Sequence, residues 1–303
     1  MENIENKNSL KSDVSTQNSG MKVCDIKQHA LTILSPLYGN REAEWIVRAI
    51  FECVMGWKPV DMVFKMQYEM NPYTVDRIKE MVERVAAGEP VQYVTGFAPF
   101  YGNEFKVQPG VLIPRPETAE LVDMIVKDWS GKNDLTVLDC GTGSGCIAVS
   151  LARNLPFAKV TGIDVSPTAI SVAQENARLL KVSVNIEKVD ILTLDKNAET
   201  GKWDIIVSNP PYVLENEKPG IEKHVTDYEP SLALFVPDND PLKFYRPIAR
   251  YALEALRPGG KLYFEINPLC VKLMLQLLKD FDDVSVVRDS QGFERFVVAE
   301  KEK

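Results

Sequence analysis

The sequence predicts a doubly wound α/β domain with a mostly parallel sheet, preceded by a small helical bundle and a β-hairpin linker. Three observations carry this. From about residue 135 onward, apolar strand-like runs alternate with helical patterns, and such alternation builds a sheet covered on both faces by helices. A glycine-rich turn, Gly141-Thr-Gly-Ser-Gly145, follows the first of those runs. Between residues 21 and 88, by contrast, apolar residues recur only at helical spacing.

The composition narrows the function classes. The chain has 303 residues, enough for one large domain and one small. Its formal net charge of −8 disfavours a long non-specific grip on nucleic acid, which depends on Lys and Arg neutralising phosphates. The five cysteines are an odd number, spread through apolar contexts, and read as reduced core residues of a cytoplasmic protein. With two histidines, a His-rich metal site is excluded and no metal is expected. No apolar run reaches the roughly 18 residues of a membrane span. Residues 1–20 are polar, with no apolar h-region, and read as a disordered tail rather than a signal peptide.

The elements follow in order. Trp45, Ile46, Ala49, Ile50, Cys53 and Val54 mark one helix. Val75, Ile78, Met81, Val82 and Val85 mark another, stopped by Gly88. Residues 21–89 are therefore taken as a helical domain. Residues 90–110 carry Phe97, Phe100, Tyr101, Phe105 and Val107 around Gly102-Asn103, a hairpin linker. In Val111-Leu-Ile-Pro-Arg-Pro-Glu-Thr118, Pro116 suits the first position of a helix carrying Leu121, Val122, Ile125 and Val126. The main domain, 111–303, has strands expected at 136–139, 159–164, 184–190, 203–209 and 261–266. Helices are expected after the glycine turn and at 167–180, 241–256 and 268–280, with Pro258-Gly-Gly260 as a stop. A last hairpin, 284–288 with 295–299, places one antiparallel strand in the sheet.

Ligands of such sheets sit beyond the carboxyl ends of the strands. Gly141, Thr142, Gly143, Ser144 and Gly145 let a ligand approach the backbone. Cys146 stands where a dinucleotide fingerprint needs its third glycine, which counts against a pyrophosphate. Asp164, ending the second strand, suits the two hydroxyls of a ribose. Asp190 can receive an amino group, or merely cap a turn, and Ile191 can pack on a flat ring. These strand ends point to an adenosine-containing cofactor and leave a nicotinamide dinucleotide open.

The fourth strand runs into Asn209-Pro-Pro-Tyr212. Each proline fixes φ, lacks an N–H and holds the preceding residue extended. The result is a rigid corner rich in acceptors. An amide or exocyclic amine is a poor nucleophile because its lone pair is delocalised. The Asn209 side-chain oxygen and the Pro210 carbonyl are suitable acceptors for its two N–H groups. The Tyr212 ring can pack on the planar group and favour a nearby cation. This corner resembles that of S-adenosyl-L-methionine-dependent methyltransferases acting on planar nitrogens.

A more specific resemblance rests on Pro90-Val-Gln-Tyr-Val-Thr-Gly96, Phe105-Lys-Val107, the Pro-Arg-Pro-Glu-Thr118 segment, Asp139-Cys-Gly-Thr-Gly-Ser-Gly145, Asn209-Pro-Pro-Tyr212, Tyr228-Glu-Pro-Ser-Leu-Ala-Leu234 and Gly260-Lys-Leu-Tyr-Phe-Glu-Ile266. In this order they resemble the HemK/PrmC family of peptide chain release factor N5-glutamine methyltransferases. That resemblance implies a seven-stranded class I methyltransferase domain of Rossmann-like fold, with S-adenosyl-L-methionine as cofactor. It also implies class I peptide chain release factors as protein substrates, methylated at the glutamine of a Gly-Gly-Gln loop. The helical domain would help hold the release factor. Asn209, Pro210 and Tyr212 would be catalytic, and Asn209, Pro210, Pro211, Tyr212, Arg115 and Glu117 would border the substrate. Arg115 also reads as a structural ion-pair partner. Ala119, Cys140 and Asn267 depart from the residues common in the family. A monomer is expected, without direct nucleic-acid or membrane contact. The competing readings are an N-methyltransferase for a nucleic-acid base, a non-catalytic S-adenosylmethionine-binding protein and a nicotinamide oxidoreductase.

Overall fold

A computed structural model describes residues 21–197 and 199–302; the expectation for the N-terminal 20 residues lies outside them. The chain divides into two compact units between Ala87 and Gly88. The first holds α1 (Val23–Tyr38), α2 (Asn40–Met55), α3 (Pro59–Phe64) and α4 (Pro72–Ala86). The Asn71 side chain accepts from the Thr74 N–H and starts α4, with Pro72 in the first turn. All five apolar residues expected on the inner face of α4 are buried. The face of α2 is rotated from the expected one. Ala43, Ile46, Val47, Ile50 and Phe51 are buried, whereas Trp45, Ala49, Cys53 and Val54 are half-buried. The apolar stripe on α2 is wider than the packed face, and Phe51 joins that face.

The second unit begins with α5 (Val91–Thr95), β1 (Phe97–Phe100) and β2 (Asn103–Lys106). Residues 91–95, read as part of the hairpin linker, form a short helix that ends on Gly96 in the left-handed region. The hairpin pairs Phe97 with Lys106 and Phe100 with Asn103. Then come α6 (Pro116–Asp128), β3 (Thr136–Cys140), α7 (Cys146–Asn154), β4 (Lys159–Asp164), α8 (Pro167–Leu179), β5 (Val184–Lys188) and β6 (Trp203–Ser208). A small pair, β7 (Val213–Leu214) and β8 (Phe235–Val236), encloses α9 (Lys223–Tyr228) and α10 (Ser231–Leu234). The chain closes with α11 (Tyr245–Ala255), β9 (Leu256–Glu265), α12 (Val271–Leu277), β10 (Asp283–Arg288) and β11 (Glu294–Lys301).

The main sheet has seven strands in the order β10-β11-β9-β6-β3-β4-β5. β3 is parallel to both β4 and β6, and only β11 runs against its neighbours. The order reverses at β3 and β6, so their carboxyl ends frame the crevice where ligands of open α/β sheets bind. Successive side chains alternate between two cores. Val137, Ile205, Val207 and Tyr263 face α6 and α7, while Leu138, Ile206, Leu262 and Phe264 face α11 and α12.

Several boundaries differ from the sequence reading. β5 ends at Lys188, leaving Asp190 in the loop beyond it. β9 starts at Leu256 and runs through Pro258-Gly-Gly260, with a register shift opposite Trp203 and Ile205. A bulge tolerates the missing proline N–H, and a Cβ on Gly260 would lie 2.9 Å from the Arg257 carbonyl. α11 starts at Tyr245 because residues 241–244 form a turn. The expected helix at 268–280 is a 3-10 turn, Pro268–Cys270, followed by α12.

The hairpin is held to the larger core by Phe100 and Phe105, which meet edge to face at 5.7 Å. Phe105 is fully buried. Phe105→Ala is expected to lower unfolding free energy by about 3–5 kcal/mol through the cavity it leaves, as measured by urea denaturation.

Candidate active site

The glycine turn leaves β3 at Cys140. Gly141 and Thr142 both donate their N–H groups to the Ile163 carbonyl, and Gly143 donates to Asp164 Oδ2. This stitches the turn to the end of β4. Gly143 has open space where a side chain would be, whereas a Cβ on Gly145 would come within 3.0 Å of Ala173. Gly145 thus serves the packing of α7 against α8, and it is absent from the cavity lining. Asn176 secures the same turn from below. Fully buried on α8, it donates to the Ser144 and Lys106 carbonyls and accepts from the Lys106 N–H.

A cavity open to solvent lies over these strand ends. Its walls include Gly141, Thr142, Gly143, Ser144, Asp164, Asp190, Ile191, Asn209, Pro211 and Arg115. Those predicted residues therefore meet in one place. Pro210 is buried in the corner itself. Tyr212 and Glu117 also stand outside the lining. The Tyr212 hydroxyl is turned inward, donating to Glu265 Oε1 at 3.0 Å, and Glu117 accepts from Gln291 at 3.4 Å.

The electrostatics suit a ligand with hydroxyl and amino groups. Asp164 accepts one backbone N–H on each oxygen, from Gly143 and Ser166; a carboxylate has further lone pairs to offer. Asp190 caps its own turn through Oδ1 and the Leu192 N–H while still lining the cavity, so the two readings of that residue coexist. Asp139, beneath the turn, accepts from Thr142 and Ala148 on Oδ2, but its buried Oδ1 has no partner among the described residues. Burial pushes its pKa up to about 7. The two part-satisfied carboxylates on the cavity wall, Asp164 and Asp190, fit a donor-rich adenosine ligand with an ammonium group.

Two carboxylates escaped the sequence reading, although both lie inside the segments that carried the family resemblance. Glu229, buried, accepts from the Ile113 N–H at 3.1 Å and from Arg115 Nη2 at 2.5 Å. It pins the loop that roofs the cavity, and Arg115 is at once its ion-pair partner and a wall residue. Glu265, also buried, accepts from the Thr118 hydroxyl at 2.7 Å and from Tyr212. Thr118 in turn accepts from Asn209 Nδ2 at 2.9 Å. Burial raises the Glu265 pKa to about 6, against the lowering effects of Thr118, Tyr212 and Arg295. The available signal was a charged residue inside the otherwise apolar run Leu262-Tyr-Phe-Glu-Ile266, because a buried charge requires partners.

Glu229→Gln keeps the size of the side chain but removes the charge on which Arg115 and the Ile113 N–H converge. Amide hydrogen exchange in residues 111–115 is expected to quicken at least about tenfold through local opening, with the exchange of β3 and β6 unchanged.

Comparison with known proteins places this geometry. Residues 28–96 match the PrmC N-terminal domain model, and residues 131–280 match a methyltransferase domain model. A release factor glutamine methyltransferase of Bacteroides thetaiotaomicron is 44% identical, over 88% of this chain and 96% of the relative. One from Flavobacterium psychrophilum is 41% identical, over 91% of this chain and 98% of the relative. Among solved structures, the T. thermophilus 16S rRNA methyltransferase RsmC in complex with AdoMet and guanosine has the same fold, with a TM-score of 0.50 and 22% identity over 68% of this chain and 50% of that one. Similarity of this degree along nearly the whole length of both curated relatives shows that the chain belongs to the release factor glutamine methyltransferase family.

Proposed function

We infer that this protein transfers the methyl group of S-adenosyl-L-methionine to the side-chain amide nitrogen, N5, of the glutamine in the Gly-Gly-Gln loop of class I peptide chain release factors. Its place is then translation termination in the cytoplasm. No helix among the described residues is long and apolar enough to cross a membrane. The observation that carries the reading is the position of Asn209, at the end of β6 and on the wall of the cavity that also exposes the glycine turn and Asp164.

The glycine turn would hold the cofactor by its backbone, and Asp164 and Asp190 by their remaining lone pairs. Ile191 would pack on the adenine. When bound, the cofactor supplies an electrophilic methyl group on a sulfonium. The protein's own task is orientation. A glutamine amide becomes nucleophilic toward that carbon only when its nitrogen lone pair points at it. The Asn209 Oδ1 and the Pro210 carbonyl accept its two N–H groups and set that direction. The prolines keep both acceptors still, and orientation of this kind is worth on the order of 7–11 kcal/mol of barrier. Formation of the C–N bond would be matched by cleavage of the methyl–sulfur bond, leaving a neutral thioether, and one N–H proton would pass to solvent at the open side of the cavity.

Tyr212 supports the corner from beside the cavity. Pro211 and Arg115 would border the glutamine and the backbone next to it, and Glu117 would meet the release factor further out. We assign the helical residues, 21–89, to holding the body of the release factor, the hairpin, 90–110, to linking them, and 111–303 to catalysis.

Incubation with labelled S-adenosyl-L-methionine and a release factor tests the reading. Label is expected on a peptide containing Gly-Gly-Gln and is lost when that glutamine is replaced by Asn; label on RNA instead would overturn it. Asn209→Ala is expected to lower turnover by at least about 10²-fold while the cofactor still binds. Asp164→Ala is expected to weaken cofactor binding at least about tenfold, as followed by calorimetry, through loss of a charge-assisted acceptor.

A further inference from the structure

The Asn209 side chain carries an acceptor and a donor of nearly the same shape. Only one of its two orientations presents an acceptor to an incoming N–H₂ group. The hydrogen-bond chain behind it selects that orientation. Thr118 is 3% exposed and has a single hydroxyl proton, which goes to Glu265 Oε2 at 2.7 Å. The Thr118 oxygen can then only accept from Asn209, so the atom 2.9 Å away is Nδ2. Glu265 is itself anchored on its other oxygen by the Tyr212 hydroxyl, and its backbone carbonyl receives the hydroxyl of the buried Tyr245.

We propose that Thr118, held by Glu265, is a positioning residue for methyl transfer, fixing the Asn209 amide with Nδ2 inward and Oδ1 toward the acceptor nitrogen. The proposal deepens the functional reading above and rests on it for the identity of the acceptor. Neither residue needs to touch the substrate glutamine. Each acts through Asn209, the residue that follows β6, although Thr118 lies on α6 and Glu265 on β9. Without the chain, the amide would spend part of its time reversed, opposing N–H to N–H. Substrate would still enter, but productive alignment would be rarer.

Thr118→Val has the same shape and lacks the hydroxyl. It is expected to lower kcat on the order of 10²-fold, the scale of a misaligned reacting group. KM and cofactor affinity should stay within about threefold. Thr118→Ser restores the hydroxyl and is expected to recover most of the lost kcat. Combining Thr118→Val with Glu265→Gln should cost little more than Thr118→Val alone, because residues acting through one chain are non-additive. A second readout needs no substrate. In protein labelled with 15N-asparagine, the Asn209 side-chain NH₂ signal is identified by its loss in Asn209→Asp. Its protons are expected to exchange with solvent at least about tenfold faster in Thr118→Val than in the wild type, and at a near wild-type rate in Thr118→Ser. Unchanged kcat in Thr118→Val, equal loss in Thr118→Ser, fully additive losses or unchanged exchange would each overturn the proposal. A wild-type protein that leaves glutamine unlabelled overturns the functional reading alone, and the exchange measurement still decides this one.

Discussion

The parallel pairing of β3 with β6 is the constraint on which the site depends. Their last residues, Cys140 and Ser208, are register partners, and the Ser208 hydroxyl donates to the Cys140 carbonyl at 2.6 Å. The turn that would hold a methyl donor and the corner that would hold its acceptor therefore leave the sheet side by side. Neither could drift without breaking the middle of the sheet. The two cores, one on each face, fix that pairing because a slip of one residue would exchange their side chains.

Around this centre the chain uses buried and half-buried carboxylates as fasteners. Glu229 ties down the 111–115 loop, Glu265 ties the start of α6 to the corner, and Asp204 joins Thr136 to Arg257 at the opposite end of the sheet. A carboxylate accepts from several directions at once. One such side chain can therefore draw together segments distant in sequence, and each is held by at least two donors.

Much of this was legible beforehand. The alternation of strands and helices, the glycine turn and the Asn-Pro-Pro-Tyr corner have local signatures, and they located the cavity's main walls. Residues whose roles depend on non-local partners were less visible. Glu265 and Thr118 sit 147 positions apart and meet only in the fold. Tyr212 was read as facing the ligand, because an aromatic ring beside a prolyl corner gives no sign that its hydroxyl will find Glu265. Strand ends misplaced by a residue or two reflect the same limit. The bulge in β9 absorbs a Pro-Gly-Gly that in isolation would end a strand. Asn267, noted only as a departure, donates to the Tyr212 carbonyl and to Glu217; it braces the far side of the corner.

The close fit between β4 and the glycine turn has a consequence for descent. A Cβ on Gly162 would lie 2.7 Å from Thr142 Oγ1 and 3.0 Å from Ile186 Cδ1. Thr142 is also the residue whose hydroxyl satisfies Asp139. A side chain at position 162 would press on the threonine at 142, and a residue without a hydroxyl at 142 would leave Asp139 Oδ2 with the Ala148 N–H as its remaining partner. Position 142 is thus coupled to 162 by packing and to 139 by a hydrogen bond, and a substitution at any one of the three is constrained by the other two.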